Sequence, residues 1–132
     1  MITQEKNGKW TPETAGGCPN NPATYHNNPV YQFLLDGSSR DDDNEVMIEL
    51  RGPKAYAVGL EVVTVSVMNP NSPNYFQRKH TGSFRSGCTY LRLKSIPTGT
   101  YQIIPSTFLP GQVGPFFLYV HSTHRVKLTK IK

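Results

Sequence analysis

From Tyr31 onward, apolar and polar residues alternate in short runs broken by Gly, Pro and Asn. Tyr31-Gln-Phe-Leu-Leu35 is the first such run. Val46, Ile48 and Leu50 then alternate with Glu45, Met47, Glu49 and Arg51, the period of a half-buried strand. Gly59 to Met68 is rich in β-branched residues, with Val63, Val65 and Val67 on one face, and reads as a central strand. Leu91 and Leu93 alternate with Tyr90, Arg92 and Lys94. Beyond the Pro97-Thr-Gly99 turn come Tyr101, Ile103 and Pro105, and beyond Pro110 to Pro115 come Phe116, Leu118 and Val120. Val126 and Leu128 close the series, with Arg125 and Lys127 on the opposite side. No segment of helical length has helical periodicity. Short strands at turn-punctuated intervals predict an all-β fold, a single antiparallel β-sandwich.

The first 30 residues lack this alternation. They hold Gly16-Gly17, Pro19, Asn20-Asn-Pro22 and Asn27-Asn-Pro29. A structureless stretch of this length is unusual inside a domain, so the segment is expected to be irregular yet packed on the sandwich, with Trp10 as its anchor. At 132 residues the chain suits one domain with one core. Charged residues make only 17%, which removes the signature of disorder. No apolar run is long enough to span a membrane, and the N-terminal residues lack a secretory pattern; an intracellular chain with reduced thiols is the expectation. Cys18 and Cys88 are too few for a disulfide framework and are expected to be structural.

Charge changes the picture more than composition does. The net charge is +5, but every acidic residue lies at or before Glu61. Residues 1–61 therefore carry −4 (five bases, nine acids) and residues 62–132 carry +9. Such asymmetry points to an anionic partner. Arg92 and Lys94 share one side of a strand, as do Arg125 and Lys127, so these four are the candidate residues for anionic contact, expected to form one patch. Aromatic residues are not interleaved with them in the way that base stacking needs, so nucleic acid is not expected.

Three other constellations carry candidate chemistry. Cys18, His26 and Asn27 or Asn28 supply the residue types of a thiol-protease site, but the short spacing within a Gly/Asn-rich segment offers no scaffold that would activate the thiol; no catalytic residue is assigned. His121 and His124 lack further zinc ligands nearby. Asp36, Asp41, Asp42, Asp43 and Glu45 form an acidic stretch with hard oxygen ligands. Of these, Asp41, Asp42, Asp43 and Glu45 are weak Ca²⁺ candidates, because the later loops at 69–74 and 110–114 offer no carboxylate to complete a cage. No cofactor is expected, and Ca²⁺ is disfavoured.

Trp10-Thr-Pro-Glu-Thr-Ala-Gly-Gly-Cys18 and Asn28-Pro-Val-Tyr-Gln-Phe33 resemble the opening of calpain domain III. Pro97-Thr-Gly-Thr-Tyr-Gln-Ile-Ile-Pro-Ser-Thr-Phe108 and Gly114-Pro-Phe-Phe-Leu-Tyr-Val120 are similar to its closing hairpin. The anchors fall in the right order and cover the chain nearly end to end. The resemblance implies an eight-stranded C2-like sandwich that accompanies a cysteine protease core without containing it. The ending Arg125-Val-Lys-Leu-Thr-Lys-Ile-Lys132 looks more like the PalB-type branch, the calpain seven group, which carries tandem C2-like domains. That branch implies a parent thiol protease (a hydrolase) of cytoplasm and nucleus that acts with endosomal sorting machinery. The module is then expected to be non-catalytic and regulatory, meeting the catalytic domain, a neighbouring C2-like domain or a weakly bound anionic membrane. The alternative is a Ca²⁺-dependent phospholipid-binding C2 module.

Overall fold

The computed structural model describes residues 1–36 and 44–132. Among the described residues ten strands form two antiparallel sheets: β1 (Ile2–Trp10), β2 (Tyr31–Leu35), β3 (Glu45–Arg51), β4 (Ala57–Val67), β5 (Arg78–His80), β6 (Arg85–Ser86), β7 (Cys88–Lys94), β8 (Gly99–Thr107), β9 (Gly114–Ser122) and β10 (Val126–Lys130). One sheet has the order β1-β9-β3-β7, and the other β10-β2-β8-β4-β5 with β6 also on β4. The all-β sandwich expected from the alternation is present. The resemblance implies eight strands; beyond the seven segments read from the alternation, the described residues add the very short β5 and β6 and a β1 inside the segment read as irregular.

The alternation determines which side chains meet between the sheets. Val46, Ile48 and Leu50 of β3, Leu93 of β7, and Phe116, Leu118 and Val120 of β9 line one inner face. Tyr31, Phe33 and Leu35 of β2, Tyr101 and Ile103 of β8, and Val126 and Leu128 of β10 line the other. Two features depart from the sequence reading. In β4 the core face is Val58, Leu60 and Val62, whereas Val65 is 52% exposed. Val63 lies on the other side of β4, and an irregularity between Thr64 and Ser66 then shifts the register against β8, so that Val67 beyond it packs against the core. Cys18 is buried as expected, but Cys88 is exposed on the outer side of β7.

Trp10 anchors as expected. Its ring centroid lies 4.6 Å from that of Phe116, and its indole N–H donates to the Pro105 carbonyl at 3.2 Å. The remaining N-terminal residues close on themselves around Asn28. Its side-chain oxygen accepts from the Gly16 N–H at 3.0 Å, and its amide donates to the carbonyls of Gly17 and Tyr25 at 2.8 and 2.9 Å. Backbone bonds from Cys18 to Phe108 and from Gly111 to Ala15 tie this segment to the end of β8 and the turn before β9. The Asn-rich stretch therefore folds by side-chain capture of backbone groups, which short amides do well.

Candidate interaction surfaces

The four basic residues do not share one face. Arg92 and Lys94 point outward from β7, the edge of the four-stranded sheet, because Leu91 and Leu93 between them turn inward. Lys127 points outward from β10, the edge of the other sheet, and Arg125 sits in the turn joining the sheets. Moreover, β10 lies against β1, while β7 lies against β4. One patch of all four is thus excluded by the layering, since strands that alternate alike in sequence end up on opposite layers.

Arg92 is also partly neutralised. Its guanidinium lies 3.5 Å from Glu45, which pairs in register with Lys94 on the adjacent strand. Glu45 thereby has a basic partner on β3–β7. Asp41, Asp42 and Asp43 lie outside the described residues. Their flanks are placed: the Asp36 N–H donates to the Arg125 carbonyl, and the Ser95 N–H to the Asn44 carbonyl. Among the described residues no three His, Cys, Asp or Glu side chains gather into a metal cluster.

The outer face of the four-stranded sheet was not legible as a site in the sequence. Register aligns Glu5, Tyr119, Glu49 and Tyr90 across β1, β9, β3 and β7, and Asn7, Phe117, Arg51 and Cys88 in the adjacent row. Tyr90 and Phe117 are 56% and 40% exposed, beside half-buried Met47 and Tyr119. Glu49 sits at the centre, 2.7 Å from Arg51 Nε and 3.4 Å from His121 Nε2. Partial burial pushes its carboxyl up, but hydrogen bonds from Arg51 and His121, with their charges, outweigh this and hold it below the usual carboxylate range. The other His121 ring nitrogen is 2.9 Å from Thr3 Oγ1, so this histidine joins β1, β9 and β3. Arg51 also lies 5.7 Å from the Tyr119 ring centroid. The result is an outer face that combines aromatic surface with paired charge.

A second feature sits on the outer side of the other sheet. Glu61 points outward between core residues Leu60 and Val62, yet is 5% exposed because the N-terminal segment covers it. The Tyr25 hydroxyl donates to Glu61 at 2.8 Å, and Arg78 approaches the same oxygen at 3.1 Å. Burial and this bond to a carboxylate push the Tyr25 hydroxyl far up, so it remains a donor. Cys18, His80, Phe84 and Phe108 help line a cleft of about 360 Å³ beside the pair. Among the described residues no hydrogen bond joins the Cys18 and His26 side chains; the Cys18 sulfur is instead approached by the Asn21 amide at 3.7 Å. Glu61 here clamps the covering segment to β4 through Tyr25.

The family described as calpain large subunit, domain III, matches residues 6–121. Calpain-7 of Sus scrofa is 50% identical over 131 residues, and Calpain-7 of Homo sapiens 47% over the same length; each alignment covers 99% of this chain and 16% of the relative. Calpain-8 of Mus musculus is 29% identical over 155 residues, with 95% of this chain and 22% of the relative covered. The chain therefore spans well under a quarter of the length of these relatives. Among solved structures, the Clostridium perfringens CspB protease shares the fold at a TM-score of 0.50 and 13% identity, covering 92% of this chain and 25% of that one. The calpain-7 relatives stand nearer than calpain-8, in keeping with the resemblance read from the two sequence anchors. The chain belongs to the calpain domain III family, as a non-catalytic β-sandwich domain of a calpain-like protein.

Proposed function

We propose that this chain is a docking and regulatory domain of a calpain-type cysteine endopeptidase working in cytoplasm and nucleus, and that it holds a neighbouring domain of the parent through the outer face of its four-stranded sheet. The observation that carries this reading is the exposure of Tyr90 and Phe117 beside Tyr119 and Met47. Glu49 and Glu45 among them are paired, as Glu49–Arg51, Glu49–His121 and Glu45–Arg92. Interfaces between domains combine aromatic anchors with compensated polar groups, so such a face can be covered without stranding these two carboxylates. The uncompensated lysines elsewhere add weak contact with anionic surfaces. The parent's work with endosomal sorting machinery, implied by the likeness to calpain-7, is part of the same reading but has no assigned surface on this domain.

The test is Tyr90→Ala with Phe117→Glu in the full-length parent. Expected results are faster limited proteolysis at the junctions of this domain and weaker capture of the separately expressed remainder. Unchanged cleavage and unchanged capture would overturn the assignment. The competing reading, Ca²⁺-dependent phospholipid binding, is weakened by Glu45 facing Arg92 and Lys94 and by the absence of carboxylates after Glu61. It predicts vesicle binding that requires Ca²⁺ and is lost in Asp42→Asn.

A further inference from the structure

We propose that the cleft on the outer side of the six-stranded sheet, between the N-terminal segment and the β5–β6 turn, is a binding site for a phenol group. Its floor follows from register. In β4, Gly59 and Glu61 alternate with Val58, Leu60 and Val62 of the core-facing side, so both face outward. Ser106 of β8 stands opposite Gly59, and Ile104 opposite Glu61. Ser106 and Glu61 are therefore diagonal neighbours on the same side, about 7–8 Å apart at Cα. Both line the cleft, and they are only 2% and 5% exposed. Glu61 uses one oxygen, Oε1, for both Tyr25 and Arg78. Among the described residues no hydrogen bond reaches Glu61 Oε2 or Ser106 Oγ, and the fully enclosed side-chain polar atom without a partner is Tyr31 Oη. The two free oxygens on the floor are thus open to the cleft that their residues line.

The walls are aromatic and held in place. Gly59 lets the Phe84 ring lie directly on β4, where a Cβ would fall 2.7 Å from it. The Phe108 ring meets Phe84 at a centroid distance of 5.8 Å. Its backbone is fixed on both sides: the N–H donates to the Ala57 carbonyl at 2.9 Å, and the carbonyl accepts from the Cys18 N–H at 3.2 Å. The volume of about 360 Å³ falls among small-ligand sites, which span about 300–1,000 Å³. Glu61 Oε2 can only accept, whereas the Ser106 hydroxyl can also donate. The complement is a group that donates and accepts through one atom, attached to a planar apolar body. A phenol supplies both: its O–H donates to Glu61, its oxygen accepts from Ser106, and its ring packs on Phe84 and Phe108. Arg78 already offsets the Glu61 charge, so a neutral donor fits better than an ammonium group. The ring can belong to a free phenol or to a tyrosine carried by a peptide; the chemistry of recognition is the same. The cleft lies on the layer opposite the face assigned to domain docking, so either proposal can fail alone.

Titration of the chain with p-cresol, followed by amide NMR shifts, tests for a free phenol, and N-acetyltyrosinamide is the peptide-borne probe. Saturable shifts are expected at Ser83, Phe84 and Phe108. The methyl ether of p-cresol, p-methylanisole, has no hydrogen to donate and should bind about tenfold more weakly. Ser106→Ala and Phe108→Ala should each weaken p-cresol several-fold while amide shifts away from the cleft stay in place. Tyr90→Ala with Phe117→Glu, on the other layer, should leave binding unchanged. Binding of N-acetyltyrosinamide, with or without p-cresol, identifies a ring carried on a peptide, whereas binding of p-cresol alone identifies a free phenol; both support the site. Several outcomes would each overturn it. These are no saturable shift with either probe, equal affinity for p-methylanisole, tighter binding of p-methylbenzylamine than of p-cresol, an equal loss in the Tyr90/Phe117 variant, or wild-type affinity in Ser106→Ala or Phe108→Ala.

Discussion

Asn28 is where the N-terminal segment is held. Three hydrogen bonds to backbone groups converge on its buried amide, from Gly16 and to Gly17 and Tyr25. Asn28→Ala should cost about 2–4 kcal/mol, since the lost bonds leave backbone groups unpaired in a buried position. Urea unfolding with an unchanged m-value would read this directly; a loss below about 0.5 kcal/mol would show that water replaces the amide at no cost. Glu49 supplies the pH dependence. Its folded pKa is depressed, so its contribution is present above the unfolded carboxylate value of about 4.3 and is lost as pH falls through the lower folded value. Glu49→Gln should therefore flatten the acid limb of the stability curve, and a parallel curve for wild type and variant would contradict the assignment. Residue identity was a partial guide at this scale. The Asn-Pro and Gly-Gly punctuation announced turns, but nothing in the sequence marks Asn28 rather than Asn27 as the clamp, because the choice depends on which amide faces Gly16.

Strands were legible where a buried face imposes alternation and were missed where it does not. β1 reads Ile-Thr-Gln-Glu-Lys-Asn-Gly-Lys-Trp, with little apolar periodicity, yet pairs along its whole length with β9. It is an edge strand whose ladder is backbone, so its side chains carry little signal. The error in β4 has the opposite cause: both sides are apolar or covered, and the irregularity after Thr64 changes the phase. The basic residues illustrate the limit of strand-level reading, since outward positions were correct while the layer each strand joins was not encoded locally. Gln4 shows how two edges are managed together. Its amide donates to the Val126 carbonyl and accepts from the Leu128 N–H at 3.0 Å, satisfying the free edge of β10 as a neighbouring strand would. Gln4→Ala should cost about 1 kcal/mol and accelerate hydrogen exchange at the Leu128 amide, with the amides of β3 unaffected. Unchanged exchange at Leu128 would mean that β10 is protected by something other than this side chain.

At the scale of the whole molecule, the excess of positive charge after Glu61 is distributed over both layers, and this restricts how it can act. Arg92 projects from the outer side of one sheet and Lys127 from the outer side of the other. A planar anionic surface meets one face of a sandwich at a time, and interactions between exposed charges fade beyond a Debye length of about 10 Å at 0.1 M salt. Arg92 also has Glu45 beside it, whereas among the described residues Lys127 has no acidic partner. Lys127→Glu should therefore reduce co-sedimentation with anionic vesicles at low salt, while Arg92→Glu leaves it near the wild-type level. The loss should shrink as salt rises and should not depend on Ca²⁺, because the residues involved carry no metal ligand. The two substitutions sit on different layers and share no partner, so the double variant should match Lys127→Glu alone within error. If both single variants lose binding equally, the charge acts through a non-planar partner that wraps the edge of the sandwich, and docking of one face on a membrane is the wrong picture for this domain.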